Sequence, residues 1–209
     1  MLLYFKPGAC SLSARITLTE LKIPFESVEV LTEKGTTIDG RDYRAINPKG
    51  YVPALEIQPG IIVTENPAIL QYLADLQPQA GLAPVAGTLE RIRLQEWLNF
   101  TSSELHKAFA PWFSGRSLEE GEQSRAETIL ARRLDDVERG LSDSRPFIMG
   151  EAFTIADAYL FVVLNWAGFI SFSLARWPTV ADYIARIAAR PTVRAALVAE
   201  GLLQEEAAQ

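Results

Sequence analysis

The 209 residues include one cysteine, Cys10, and one histidine, His106. A lone thiol permits no internal disulfide, which suits a reducing compartment. One thiol and one imidazole supply no ligand cluster of the usual spacing, so no metal site is expected. Basic residues are outnumbered, 20 Lys and Arg against 26 Asp and Glu, for a net charge of −6. They form no stripe, so nucleic acid is not an expected partner. Long hydrophobic runs are missing too. The longest, residues 158–170, contains Asn165 and is too short to span a bilayer, so it reads as a buried helix and no membrane association is expected. Near the N-terminus Lys6-Pro7-Gly8 interrupts the apolar stretch a signal peptide requires, which points to a cytoplasmic protein. The composition, 48% hydrophobic and 22% charged, is that of an ordinary globular chain long enough for one large domain or two small ones.

The periodicity changes once along the chain. Leu2 to Phe5 is a short apolar strand, broken by Pro7-Gly8, and Ser11 or Ser13 is expected to cap the helix running through Ile16, Leu18 and Leu21. The alternation of Phe25, Val28 and Val30 fits a second strand, which completes a βαβ start. A polar loop, residues 32–42, leads through a short amphipathic piece to the turn Asn47-Pro48-Lys49-Gly50. The runs 52–57 and 61–63 flank Pro59-Gly60 as an antiparallel hairpin, with Pro53 at a strand head where its missing N–H does no harm. Asn66 is placed as the N-cap of the next helix, with Pro67 at its first position. Residues 80–87 read as a linker, and from Thr88 onward only helices are expected. These comprise a long one ending near Pro111, one over about 118–141, the apolar helix headed by the capping box Thr154 to Asp157, and two opened by Pro178 and Pro191. The polar tail 204–209 is expected to fray. The expected fold is thus α/β plus all-α: a βαβ-ββα domain over 1–79, and an all-helical domain over 88–209.

Chemistry gathers around Cys10. It lies where strand gives way to helix, facing backbone N–H groups that the helix leaves unpaired and the positive end of the dipole, a setting that favours thiolate. A small buried hydrophobe is the other reading of such a cysteine. Cys10-Ser11-Leu12-Ser13 keeps the attacking thiol of a Cys-x-x-Cys site and lacks the resolving one, so an external thiol would have to finish any exchange cycle. Glu65-Asn66-Pro67 combines helix-start N–H groups with a carboxylate, a pairing suited to a zwitterion; a plain N-cap accounts for Asn66 but not for Glu65. Ser103, His106 and Lys107 share about one helical turn, and the aromatics Phe109, Trp112 and Phe113 that follow are either core or the wall of an apolar pocket.

The segments 6–12, 47–55, 64–69 and 96–107, taken in order, resemble the cytosolic glutathione transferases, and within them the bacterial beta class. The resemblance covers essentially the whole chain. It implies a thioredoxin-like N-terminal domain, an all-α domain with the electrophile pocket, and a homodimer. The implied activity is conjugation of the thiolate of reduced glutathione, a co-substrate, to hydrophobic electrophiles. It further implies that Cys10 contacts the glutathione sulfur, and that Val52, before a cis proline, offers its backbone to the cysteinyl part. Glu65 and Asn66 would take the γ-glutamyl end, and Lys34 the glycyl carboxylate, although a solvated loop charge explains Lys34 equally. His106 and Lys107 would face the sulfur from the helical domain, with Ser103 in the same turn and His106 able to accept a proton near neutral pH. Asn99 would reach the γ-glutamyl group of the neighbouring subunit. The alternatives are glutathione-dependent disulfide exchange or peroxide reduction through Cys10, and a non-catalytic ligand carrier.

Overall fold

A computed structural model describes residues 1–204; the expectation of a fraying tail therefore falls almost wholly outside the described residues. The chain divides into two compact units, Met1–Ala83 together with the chain from Ala189 onward, and Pro84–Ala188. The last helix, expected within a helical domain of 88–209, thus groups with the N-terminal unit.

In the first unit a five-stranded sheet runs in the order β3-β2-β1-β4-β5, with β1 Leu2–Phe5, β2 Glu26–Leu31, β3 Thr36–Thr37, β4 Ala54–Gln58 and β5 Ile61–Thr64. β1 pairs parallel to β2 and antiparallel to β4. Its residues Leu3, Tyr4 and Phe5 are all buried, as a central strand covered on both faces requires. The loop expected over 32–42 contributes the two-residue β3, which closes the edge of β2 through Val30 and Leu31. On one face Tyr4, Val30, Val52 and Ala54 pack with Tyr43 of the short α2 (Tyr43–Ile46), the two tyrosine rings 5.8 Å apart.

α1 (Leu12–Glu20) is buried continuously from Leu12 to Leu18, because α3 (Asn66–Leu76) and the last helix, here α9 (Pro191–Ala199), both lie against it. α9 turns Val193, Ala196 and Leu197 inward. The pair is clamped at one end by Glu20, whose carboxylate accepts from Arg190 Nη2 at 2.7 Å and Nε at 3.1 Å. No serine caps α1. Ser11 instead turns its hydroxyl back on Lys6, accepting from its N–H at 3.2 Å, because the tight turn before the helix brings that backbone within reach.

The second unit is helical. Residues 89–113 form one continuous helical stretch that changes pitch. α4 (Leu89–Phe100) passes into a π turn at Thr101–Leu105, then α5 (His106–Phe109) and a 3₁₀ turn through Phe113. α6 (Glu120–Gly140), α7 (Ile155–Phe169) and α8 (Pro178–Ala188) complete it. α7 is apolar all round and buried from Ile155 to Leu164, which makes it the core of the unit. Its capping box holds together more than its own first turn. Asp157, fully buried, accepts from Thr154 N–H and hydroxyl, both at 2.8 Å, from Ile148 N–H at 2.7 Å and from the Tyr183 hydroxyl of α8 at 2.8 Å. Gly140 sits under the Trp97 ring, where a Cβ would come within 2.7 Å of the indole, so only glycine lets α6 approach α4 this closely. Among the described residues no helix is long and apolar enough to cross a membrane.

Candidate active site

In the first unit the turn Lys6–Cys10 carries the thiol to the start of α1. Gly8 in this turn has φ +72°, a conformation that glycine adopts at little cost. Ala9 N–H bonds Lys6 O, Leu12 N–H bonds Ala9 O and Ser13 N–H bonds Cys10 O, at 3.0–3.1 Å. The first N–H groups of α1 are therefore engaged within the turn itself. Cys10 is 8% exposed, and its thiol donates to the Val52 carbonyl at 3.4 Å. The Val52–Pro53 peptide is cis. The sheet thus brings together Cys10 and Val52, two residues 42 positions apart that the sequence marks separately.

Ser13, the serine of Cys-x-x-Ser, has a structural task. Its hydroxyl donates to Cys10 O at 2.7 Å and accepts from Asn66 Nδ2 at 2.7 Å, which ties α3 to the backbone of the thiol. Asn66 is consequently not the N-cap. It is the first residue of α3, buried, with its Oδ1 unpartnered, and Glu65 takes the cap position with φ +69° and ψ 114°. That backbone is strained for any side-chain-bearing residue. The Glu65 carboxylate is half exposed, ion-paired with Lys49, and accepts from the Tyr51 hydroxyl at 2.8 Å. Lys49 and Tyr51 belong to the turn 47–51 and were not expected here; a cation and a phenol just before a strand head, in a chain with an acidic helix start, are the only signal. Lys34 stands exposed just before β3.

In the second unit His106 follows the π turn, a local widening that places the next side chains off the regular helical register. Its Nδ1 lies 3.1 Å from the Tyr159 hydroxyl of α7, and its ring meets Trp166 edge-on at 4.7 Å. Burial, with the Lys107 ammonium adding to it, lowers its pKa to about 4. The imidazole is therefore neutral near pH 7. Ser103 spends its hydroxyl on Asn99 O, 2.9 Å away, and Asn99 and Lys107 are exposed. The three aromatics part company. Phe109 is fully buried against Trp166, Phe113 is 50% exposed, and Trp112 lines a cavity of about 470 Å³ with Glu127, Arg176 and Trp177.

The depressed His106 pKa has a stability consequence with a definite sign. Below its ordinary pKa of about 6.5 the unfolded chain takes up a proton that the folded chain refuses until about pH 4, so this contribution is complete above 6.5 and is lost as pH falls. Between pH 7 and pH 5 wild type should lose about 1–2 kcal/mol relative to His106→Gln, read from urea unfolding at both pH values.

A mixed sheet with a thiol at the start of the first helix places this unit in the thioredoxin-like class of folds. Comparison with known proteins narrows this. The glutathione S-transferase N-terminal domain matches residues 8–76 and the C-terminal domain residues 120–186. Glutathione S-transferase GstA of Escherichia coli O157:H7 is 44% identical over 202 residues, spanning 97% of this chain and 100% of that protein. A bacterial beta class glutathione S-transferase of Sphingomonas chungbukensis superposes with a TM-score of 0.92 at 43% identity, over 97% of this chain and 100% of that one. A sphingomonad glutathione S-transferase complexed with glutathione gives 0.91 at 42%, over 97% and 100%. The chain belongs to the glutathione S-transferase family, and within it to the bacterial beta class.

Proposed function

We propose that the chain holds reduced glutathione on Cys10, Val52, Glu65 and Asn66 and transfers its thiolate to a hydrophobic electrophile. The new S–C bond forms as the leaving group departs with its bonding pair, and the thiol proton passes to solvent. The observation that best supports this is the 3.4 Å approach of the Cys10 sulfur to the Val52 carbonyl. A peptide ligand pairing with the Val52 backbone would lay its own sulfur beside Cys10. Glu65 suits the γ-glutamyl ammonium, with Asn66 N–H at the head of α3 for the carboxylate, and Lys34 is assigned the glycyl carboxylate. His106, neutral, is assigned a hydrogen bond in the same reaction rather than proton transfer, with Ser103 and Lys107 beside it, and Trp112 and Phe113 are the candidates for contact with the electrophile.

The reading includes a homodimer and a cytoplasmic location. Leu89 and Ile92, 61% and 52% exposed on α4, the helix that also carries Asn99, are apolar side chains that a second copy would bury. The lone thiol suits a reducing compartment.

Cys10→Ala tests the reading. Glutathione binding by calorimetry and conjugation of a chlorinated aryl substrate should persist at a reduced level, whereas glutathione-dependent disulfide exchange should fall to background. Absence of glutathione binding by the wild-type chain would sink the proposal. Loss of conjugation together with exchange would instead make Cys10 itself the nucleophile.

A further inference from the structure

The turn that carries Cys10 is held by a residue from the far end of the sequence. Glu200 closes α9, and its side chain is wholly buried. Oε2 accepts from the Gly8 N–H at 2.9 Å, and Oε1 accepts from Arg15 Nε at 3.0 Å. The carboxylate therefore grips the chain on both sides of the thiol, two residues before Cys10 and five after it. Arg15 is in turn stacked on Phe5 of β1, its guanidinium carbon 4.4 Å from the ring centroid, so the anchor rests on the central strand. A buried carboxylate is costly unless paired and hydrogen-bonded, and here both oxygens are used on the two segments that flank one functional side chain.

We propose that Glu200 is a positioning residue for the Cys10 site, fixing the turn 6–10 through the Gly8 N–H and so setting where the thiol stands against the Val52 carbonyl. This rests on the reading of Cys10 and Val52 as the glutathione site. The groups facing Glu200 are Arg15, the Gly8 N–H and, at longer range, the Glu29 carboxylate of β2. Burial, opposed by the Gly8 and Arg15 bonds, raises its pKa. With two directed donors it acts as an acceptor that sets geometry.

A merely structural role would make Glu200 equivalent to Glu20, which clamps the opposite ends of the same two helices through Arg190. Two variants separate the possibilities, Glu200→Gln and Glu20→Gln, each checked for folding by circular dichroism. Glu200→Gln keeps one acceptor oxygen but must turn its amide toward Arg15 or Gly8. It should raise the KM for glutathione about tenfold with a smaller change in kcat, and change the rate of Cys10 alkylation by iodoacetamide at least threefold across the pH profile. Glu20→Gln should move the unfolding midpoint and leave both readouts within twofold of wild type. Glu200→Asp, which retains the charge, should recover part of the alkylation profile. Unchanged KM and alkylation in folded Glu200→Gln, or equal changes in Glu20→Gln, would overturn the assignment. Because alkylation needs no glutathione, failure of the glutathione reading would show separately, as wild type that does not bind the tripeptide while Glu200→Gln still alters the thiol.

Discussion

Replacing Asp157 by alanine is expected to be the most damaging single substitution considered for the stability of this protein, at about 3–5 kcal/mol. The carboxylate is the common acceptor for four donors, and three of those groups, the Ile148 N–H, the Thr154 N–H and the Tyr183 hydroxyl, would be left without it in the interior. Each buried donor deprived of its acceptor costs about 1–3 kcal/mol, part of which relaxation or an entering water recovers. The loss joins three segments at once: the turn before α7, α7 itself and α8. Asp157→Asn keeps the volume and one acceptor but presents an amide N–H₂ toward the donors, so it should fall between wild type and alanine. Urea midpoints followed by circular dichroism, with Thr154→Ala as a variant that removes one donor and leaves the carboxylate, give the ranking Thr154→Ala mildest, then Asn, then Ala at 157. A midpoint for Asp157→Ala close to that of Thr154→Ala would mean that the network contributes no more than a helix cap.

The second large effect is on ligand affinity and is expected at Glu65. On the proposed role of Glu65 as partner of the glutathione ammonium, losing the carboxylate should weaken binding about ten- to hundredfold, whether the replacement is alanine or glycine. Stability should separate the two. Glu65 holds φ +69°, which alanine inherits as strain and glycine does not, so Glu65→Gly should be more stable than Glu65→Ala by about 1 kcal/mol. Calorimetric titration and thermal unfolding of the same two proteins read both quantities. Equal affinity in both variants and wild type would remove Glu65 from the site, and equal stability of the two variants would remove the strain. On that proposal, a glutamate stands at a position that local backbone preference would give to glycine because its carboxylate binds the ligand.

The fold was legible where the signals are local. Strand β1, the proline-led helices, the hairpin around Pro59-Gly60 and the capping box at Thr154 are written in residues a few positions apart, and the structure has them. Val52-Pro53 and Cys10 were each marked in the sequence, but their approach depends on the pairing of β1 with β4, which periodicity does not encode. The residue type of Asn66 favours a cap, but the backbone gives the cap to Glu65 and uses the amide to bridge to Ser13 instead. The π turn at Thr101 has no composition signal, and it alters which of Ser103, His106 and Lys107 share a direction. The depressed pKa of His106 follows from its burial with Tyr159 and Trp166, both supplied by a helix about fifty residues later. Lys49, Tyr51 and Glu200 carry no local signal because each acts on a residue that only the tertiary fold brings near.

The grouping of α9 with the sheet bears on the order in which the chain acquires structure during synthesis. The helical unit is one uninterrupted segment, 84–188, whereas the first unit is split around it. As the polypeptide emerges from the ribosome, β1 and α1 are exposed early and lack one of the two helices that cover α1 until α9 has followed the whole helical unit out. Closing so distant a contact carries the entropy of a long loop, so the sheet unit should reach its final form after the helical one. The turn bearing Cys10 acquires its Glu200 anchor only once α9 has been made, so a product truncated before α9 would carry the thiol without that support.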